Sequence, residues 1–294
     1  MSHNHKSEFS EKNLFITMAL NFFISIAEVI GGILSGSLSL ISDALHNFSD
    51  GIAIIITYIA MRLSKRPKTS KYTFGLKRAE ILAAVINAST LIIISFFLIR
   101  EAIERFYNPS QITGSLMLIV ATSGLLANVI GTFLLKKGSE NNLNIRAAYF
   151  HLLSDAVSSF AVIIGAIFII YYKIYWIDPL LTILISLYIL KETYEIVKES
   201  IDILMMSNPE GIDLDEIKNI VEKIPGVINI HHIHLWKLND IETHFEAHIE
   251  VEDMQVSGTT VIQELIEHAL HDRYEINHTT LQFECDKCEV KKLL

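Results

Sequence analysis

The sequence of 294 residues is poor in cysteine, in tryptophan and in charged side chains. Its two cysteines, Cys285 and Cys288, lie close to the end of the chain, which excludes a disulfide-rich secreted scaffold. Residues 1–12 are polar and have no cleavable signal pattern. Only 19% of the residues are charged, whereas about 25% is typical of soluble domains. The net charge of -9 argues against nucleic acid as a partner and is compatible with cation binding.

The chain is rich in long apolar runs. Hydrophobic residues make up 51% of the chain and the mean hydropathy is +0.39, with the excess concentrated before Lys198. A helix needs roughly 20 apolar residues to cross a bilayer. Six runs come close to this length or exceed it: 14–33, 38–63, 79–103, 114–135, 147–172 and 177–194. The sequence therefore predicts an α-helical membrane protein with six transmembrane helices, which insert without a separate signal.

The distribution of charge predicts two domains and an orientation. Residues 1–206 contain 17 basic and 15 acidic side chains, whereas residues 207–294 contain 7 and 18. Basic side chains cluster in the loops after the second and fourth runs, and such loops face the cytoplasm. Six spans would place both termini on that side. We predict a transmembrane domain at 1–206 with a short cytoplasmic N-terminal tail, a cytoplasmic metal-binding domain at 207–294, and a multi-pass location in the cell membrane.

The acidic tail has the pattern of a small α+β domain. A short amphipathic helix is predicted at 213–224, two β-rich runs at 227–238 and 241–251, a second helix at 259–273 and a last strand at 279–284. The two β-rich runs are joined at Asn239 and Asp240, which favours a hairpin. The order helix-strand-strand-helix-strand is typical of a ferredoxin-like fold.

Two His-x-x-x-Asp steps carry the chemistry of the membrane part. His46 and Asp50 lie in the second apolar run, and His151 and Asp155 lie in the fifth. Four residues make about one helical turn, so each pair projects from one helix face. Ionisable groups are costly in hydrocarbon and usually mark a site or a transport path. Two imidazoles and two carboxylates form a tetrahedral N/O ligand set that suits zinc, and both ligand types take up protons when the metal leaves.

Three further polar residues of the apolar runs are candidates for a supporting role. Asp43 lies three residues before His46 and borders the same helix face, so it is interpreted as an orienting partner of the ligands or as part of an access path. Asn47 neighbours a proposed ligand, and hydrogen bonding between helices explains it as well. Glu28, deep in the first run, fits a role in proton transfer or a simple interhelical hydrogen bond.

Histidines are also frequent in the tail, where eight are found: His231, His232, His234, His244, His248, His268, His271 and His278. Their clustering on two paired strands, near Glu284 and a Cys-x-x-Cys step, fits a metal site. Surface histidines are common in small domains, however, and a single Cys-x-x-Cys step has low specificity. From the residues alone both interpretations stay open.

Five segments resemble the cation diffusion facilitator family, in its bacterial branch that exports zinc, cadmium and cobalt. They are residues 37–50 (SLSLISDALHNFSD), 72–80 (YTFGLKRAE), 151–155 (HLLSD), 231–236 (HHIHLW) and 280–284 (TLQFE). The resemblance spans nearly the whole chain. It implies a homodimeric antiporter in the lipid bilayer, with six spans and a cytoplasmic metal-sensing domain, that exchanges a divalent metal for protons.

The resemblance also implies roles for individual residues. His46, Asp50, His151 and Asp155 are the expected transport site, and His46 favours zinc, because relatives with Asp at this position discriminate less against cadmium. His232, His248 and Glu284 are the expected regulatory ligands in the tail, so zinc is both transported substrate and regulator. In some relatives a histidine aligns plainly before the last strand. This chain has Asn277 and His278 there, and neither aligns plainly with that histidine. No organic cofactor is implied.

Three other functions are compatible with a zinc site in a membrane protein. A membrane-embedded zinc hydrolase keeps three protein ligands and an open position for water, but four ligands leave no such position and no His-Glu-x-x-His step is found. A passive metal channel would pass metal downhill regardless of a pH gradient. A metal-sensing receptor would use the tail for signalling and transport nothing. We therefore predict a transporter and not an enzyme.

Overall fold

The computed structural model describes residues 3–139, 143–285 and 293. In these ranges the chain forms eight helices and three strands. Their bounds are α1 His3–Ser35, α2 Leu38–Ser64, α3 Ala79–Tyr107, α4 Gly114–Ser139, α5 Leu143–Tyr172, α6 Ile177–Leu204, α7 Leu214–Val221, β1 Val227–Lys237, β2 Thr243–Val251, α8 Val256–Tyr274 and β3 His278–Glu284.

Each of the first six helices contains one of the six predicted apolar runs, although α1 begins at His3 instead of residue 14 and α6 ends at Leu204 instead of residue 194. Four stretches are long and apolar enough to cross a membrane: Leu38–Ser64, Ala79–Tyr107, Gly114–Lys136 and Ala148–Tyr172. Within α1 the described apolar part is the shorter stretch Ala19–Ser35. In α6 the first 18 residues include Asp178, Lys191 and Glu192. The chain is therefore a multi-pass helical membrane protein, and the number of six spans stays a prediction.

Large apolar side chains on these helices are exposed. Phe23, Phe96 and Phe133, for example, have 61–70% of their surface accessible. A surface of this kind fits contact with lipid, because burial in hydrocarbon replaces burial in a protein core. Tyr107 and Trp176 are also exposed, at the end of α3 and just before α6, where aromatic side chains commonly lie at the membrane interface.

The chain divides into two compact units. The first comprises Met1–Ile59 and Ala83–Val197, and the second comprises Ala60–Leu82 and Lys198–Leu294. The second unit thus includes the loop between α2 and α3 together with the tail. Within it, Lys77 of this loop forms an ion pair with Glu242 at 2.6 Å, and the ring of Phe74 lies 5.7 Å from that of His244.

Within the first unit, α2 begins at a buried carboxylate from α6. The Asp178 side chain is fully buried. Its Oδ2 accepts from the Leu38 N–H at 2.8 Å, and its Oδ1 accepts from the Ser39 N–H at 3.1 Å. The hydroxyls of Ser37 and Ser39 also donate to Oδ1, each at 2.6 Å. The Ser37 hydroxyl accepts from the Leu40 N–H at 3.1 Å. Three N–H groups that a helix start leaves without partners are thereby satisfied.

The tail of the second unit forms the predicted α+β fold. Its sheet has the order β1-β2-β3, with β1 and β2 antiparallel and β2 and β3 parallel. The hairpin turns at Asn239, whose side-chain oxygen accepts from the N–H groups of Ile241 and Glu242 at 3.0 and 2.7 Å. Apolar side chains of both helices and all strands form one core, including Ile217, Ile230, Phe245, Ile249, Ile266 and Leu270. The predicted elements of the tail are thus present, with α8 three residues longer at its start.

Candidate metal centre in the membrane

The two His-Asp steps meet between α2 and α5. His46 Nε2 lies 3.6 Å from Asp50 Oδ2 and 4.0 Å from Asp155 Oδ1. His151 Nε2 lies 3.2 Å from Asp50 Oδ2 and 3.5 Å from Asp155 Oδ2. The two imidazole rings are 5.9 Å apart and nearly perpendicular. Each histidine therefore faces the aspartate of the other helix as well as its own.

These separations match the edges of a zinc coordination sphere. Ligand atoms about 2.05 Å from a tetrahedral zinc ion are about 3.3 Å from one another, and the four His-Asp separations are 3.2 to 4.0 Å. His46, His151 and Asp155 each offer a ligand atom within 4.8 Å of the other two. Asp50 is outside this group of three, although its Oδ2 lies 3.6 Å from His46 and 3.2 Å from His151. Buried oxygens of Asp50 and Asp155 lack a hydrogen bond of normal geometry, which a metal ion or protons would satisfy.

Exposure is graded across the centre. Asp155 has 2% of its side chain accessible and His46 has 14%, whereas Asp50 has 26% and His151 has 39%. A cavity of about 60 Å³ borders Asp50 and His151 and continues along Asn47 and Asn21. This volume accommodates about four water molecules. The centre is thus open on one side and closed around Asp155.

The open side is the end of the helices that carries the basic loops. The cavity is lined by Thr17 in the first half of α1, Ile54 in the second half of α2, Leu135 near the end of α4 and Ala148 near the beginning of α5. Lys and Arg cluster in the loops after α2 and α4. The cavity therefore lies toward the side that the charge pattern predicts to be cytoplasmic.

Asp43 links α2 to α5 beside the centre. It is 1% exposed, and its two carboxylate oxygens accept hydrogen bonds from the hydroxyls of Ser158 and Ser159, the latter at 3.0 Å. Neither serine was singled out from the sequence, although their position one turn beyond Asp155 is a signal that could have drawn attention to them. This contact supports the interpretation of Asp43 as an orienting partner of the ligands.

Asn47 and Glu28 are both buried, with 1% of each residue exposed. Among the described residues, neither side chain has a hydrogen-bond partner with normal geometry. Asn47 lines the cavity next to Asp50. The Asn47 amide on α2 faces Glu28 on α1, without a hydrogen bond of normal geometry.

The tail contains a second cluster of metal-ligand type. His231 Nε2 lies 2.8 Å from Glu284 Oε1, and His248 Nδ1 lies 3.5 Å from Glu284 Oε2. The three ligand atoms lie within 4.8 Å of one another. His231 and His248 are opposite each other on β1 and β2, with ring centroids 5.5 Å apart. This cluster includes two of the three tail residues expected from the resemblance, with His231 where His232 was expected.

A β-bulge places His231 opposite His248. The pairing of β1 with β2 shifts between His231 and His234, and His232 there has a positive φ of 53°. Counting back by alternation from buried Ile233 would put His231 in the core and His232 on the outer face. The extra residue moves His231 to the outer face, which it shares with His248. The ring of His232 is exposed and lies 4.9 Å from that of His248.

We expect substitution of His231 to weaken zinc binding in the tail more than substitution of His232. In full-length protein carrying Asp155→Ala, which silences the membrane centre, His231→Ala should raise the zinc dissociation constant of the remaining site at least about tenfold. His232→Ala is the matched control and should change it less than about threefold. Calorimetric titration with zinc measures both. A larger effect of His232→Ala would refute the assignment of His231 as the ligand.

His244 and His278 form a second group of rings, together with Trp236. His244 stacks on Trp236 with 5.5 Å between centroids, and His278 lies 4.5 Å away. Burial, followed by the charge of His278, lowers the pKa of His244, so His244 is neutral at physiological pH. Cys285 is exposed, whereas Cys288, and with it any metal site formed by the pair, lies outside the described residues.

The fold and the centre define a class of protein. A multi-pass helical membrane domain with paired histidines and aspartates between two helices, followed by an α+β tail, is the architecture of a metal transporter. The family model described as the cation efflux transmembrane domain matches residues 14–205, and the model described as the cation efflux protein cytoplasmic domain matches residues 209–285.

The chain therefore belongs to the cation efflux family, which confirms the resemblance found in the sequence. It is a cation efflux transporter and not an enzyme. Relatives similar over nearly their whole length agree with this assignment. The chain is 39% identical to the "Cadmium, cobalt and zinc/H(+)-K(+) antiporter" of Bacillus subtilis, with 97% of this chain and 93% of the relative covered.

Two further relatives have comparable similarity. The chain is 38% identical to the zinc transporter ZitB of Pectobacterium atrosepticum, covering 98% of this chain and 90% of the relative. It is 36% identical to the metal cation efflux system protein CzcD of Cupriavidus metallidurans, with 98% and 90% covered. A solved structure of the metal-bound C-terminal domain of a CzcD transporter is 29% identical, covers 25% of this chain and 99% of that one, and has a TM-score of 0.23.

Proposed function

We propose that the protein exports zinc from the cytoplasm in exchange for protons. The observation that carries the proposal is the meeting of both His-Asp steps in one centre, with His-Asp separations of 3.2 to 4.0 Å. His46, Asp50, His151 and Asp155 bind the ion, and nitrogen and oxygen donors in this combination favour zinc. The names of relatives that transport zinc, and of one that exchanges metal for H⁺ and K⁺, support this substrate and counter-ion.

The proposed mechanism is alternating access. Cytoplasmic zinc enters through the cavity beside Asp50 and His151 and displaces protons from the four ligands. The site then opens to the outside, where protons compete for imidazole and carboxylate and release the metal. Release requires such competition, because four protein ligands would otherwise hold zinc too tightly for transport. Asp43 holds α2 against α5 during these steps and so maintains the spacing of the ligands.

The architecture proposed around this centre has six spans in the cell membrane with both termini in the cytoplasm. Residues 1–206 form the membrane domain and residues 207–294 the cytoplasmic domain, a division that the limits of the two family models support. The protein acts as a homodimer, a proposal supported by the name of the family model that matches residues 209–285, which refers to a dimer. Zinc in the tail, held by His248, Glu284 and either His231 or His232, draws the two tails together and favours the closed dimer.

Flux into proteoliposomes tests the function. With zinc outside and an acidic lumen, we expect zinc to accumulate inside. Collapse of the pH gradient by an ionophore should reduce the rate to the passive leak. The same vesicles are then assayed with cadmium and cobalt. Uptake that runs only down the zinc gradient, with no response to the pH gradient, would favour a channel and contradict the proposal.

The variant His46→Asp tests the ligand set with the same assay. Replacing an imidazole by a carboxylate removes a nitrogen donor from the centre, and selectivity depends on donor type. We expect the ratio of zinc to cadmium uptake to fall by about tenfold, with zinc transport retained. His244→Asp, in the tail, is the matched control and should leave the ratio unchanged. An unchanged ratio in His46→Asp would show that His46 does not set the preference.

A further inference from the structure

Glu28 is a buried acid that the proposed metal cycle does not use. It lies on α1 and is 1% exposed. Among the described residues neither of its carboxylate oxygens accepts a hydrogen bond of normal geometry, and Glu28 has no ion pair. An isolated carboxylate in such surroundings is strongly disfavoured in its ionised form unless a cation neutralises it. The position of Glu28 therefore requires a bound positive species in at least part of the cycle.

The groups that face Glu28 are acids or uncharged. The Asn47 amide on α2 is its neighbour, and Asp43 on α2 and Asp155 on α5 act on it electrostatically as like charges. On α4 it faces Gly124, where an added Cβ would collide with the carboxylate. No Lys, Arg or His of the described residues is among these neighbours. The positive species is therefore not a side chain of the described part of the chain.

The close packing favours a proton over a larger cation. Because the carboxylate lies directly against the backbone of Gly124, little space is left there for a metal ion and its further ligands. A proton needs no additional volume. The cavity beside Asp50 and His151 is lined by Asn47, Asn21 and Thr17, and Asn47 is also the neighbour of Glu28. Water in this cavity therefore comes within one side chain, that of Asn47, of the Glu28 carboxyl.

We propose that Glu28 carries a transported proton at a site separate from the metal ligands, an inference that rests on the proposed zinc/proton exchange. Zinc bound at Asp155 and its neighbours cancels part of the negative field that acts on Glu28. The O–H bond of the Glu28 carboxyl then breaks, its proton passes to water of the cavity, and a carboxylate remains. When zinc leaves, the field returns and Glu28 takes up a proton again. Zinc binding at the metal ligands and proton binding at Glu28 are thus coupled electrostatically, so that one favours loss of the other.

The number of protons released per bound zinc tests this proposal. It is measured on the full-length protein in lipid nanodiscs, by calorimetric titration in buffers of different ionisation enthalpy. We expect Glu28→Gln, which mimics the protonated form, to release about one proton fewer than the natural chain. Glu28→Asp keeps a titratable group and should restore the release. Glu101→Gln, an exposed acid on α3, is the control and should leave the count unchanged.

The outcomes separate this inference from the proposed function. Equal proton counts in Glu28→Gln and the natural chain, with pH-driven zinc uptake intact, would overturn the inference and leave the function standing. Absence of pH-driven uptake in the natural chain would overturn the function itself. If Glu28→Gln does not fold, Gly124→Ala replaces it, because the added methyl group crowds the carboxylate in place. An unchanged pH dependence of proton release in Gly124→Ala would then count against the proposal.

Discussion

Replacement of Asp155 by alanine should abolish proton-driven zinc uptake. We expect the initial rate to fall by more than about 100-fold, since the loss of a residue that merely orients a ligand already costs about 10- to 100-fold in many metal sites. Asp155 is the least exposed of the four proposed ligands and lies near both histidines. Without it, Asp50 is the remaining carboxylate of the described residues that lies within 4.0 Å of His46 and His151. The measurement is zinc accumulation in vesicles with an acidic lumen.

Two variants make the Asp155 result specific. Asp155→Asn keeps the size of the side chain but removes its charge, and it should be nearly as inactive as Asp155→Ala. Ser154→Ala changes the preceding residue of α5, whose hydroxyl contacts Tyr188 at 2.9 Å, and it should retain at least about half of the activity because it removes no charge from the centre. Uptake by Asp155→Ala within twofold of the natural chain would rule out Asp155 as a ligand.

Replacement of Asp178 by alanine is the second change for which we expect a large effect, here on the free energy of unfolding. The variant leaves two backbone N–H groups and the hydroxyls of Ser37 and Ser39 without their buried acceptor. We expect the free energy of unfolding to fall by about 3–5 kcal/mol, as when one partner of a buried charged network is removed. The measurement is reversible denaturation of the purified protein in mixed micelles, followed by helix content.

Asp202→Ala is the matched control for Asp178. Asp202 lies near the other end of α6 and is only partly buried, so its loss should cost less than about 1 kcal/mol. Equal destabilisation by the two variants would show that the contact between α6 and the start of α2 contributes no special stability. Asp178→Asn should lie between the two, because the amide oxygen still accepts hydrogen bonds but has no charge.

The sequence predicted the helices because each apolar run is long and ends at a clear signal. The uncharged turn Ser35-Gly36-Ser37 separates α1 from α2, and α2 begins at the predicted residue, Leu38. The pairing of α2 with α5 could also be anticipated, because ionisable side chains in hydrocarbon are costly unless they pair with one another. The separations that relate Asp50 to His151 across the helices depend on packing and are found only in three dimensions.

Other features could not be predicted because they depend on contacts between distant segments. Asp178 is 139 residues from Ser39, and nothing in its own neighbourhood distinguishes it from an ordinary acid in the first turn of a helix. That His231 and not His232 joins the tail cluster depends on a single bulge. Histidine has no strong conformational preference that would mark a bulge position in the sequence. Local patterns therefore identified the element types, whereas bulges and remote caps determined the finer assignments.

The graded exposure of the four ligands has a consequence for the dehydration of the ion. A divalent cation is strongly hydrated, and stripping its whole water shell in one step would create a prohibitive barrier. His151, at 39% exposure, and Asp50, at 26%, can each replace one water while the rest of the shell remains. Only the last exchange, with Asp155, takes place out of contact with solvent. In the proposed transport cycle, the ion would therefore exchange its waters for protein ligands in steps.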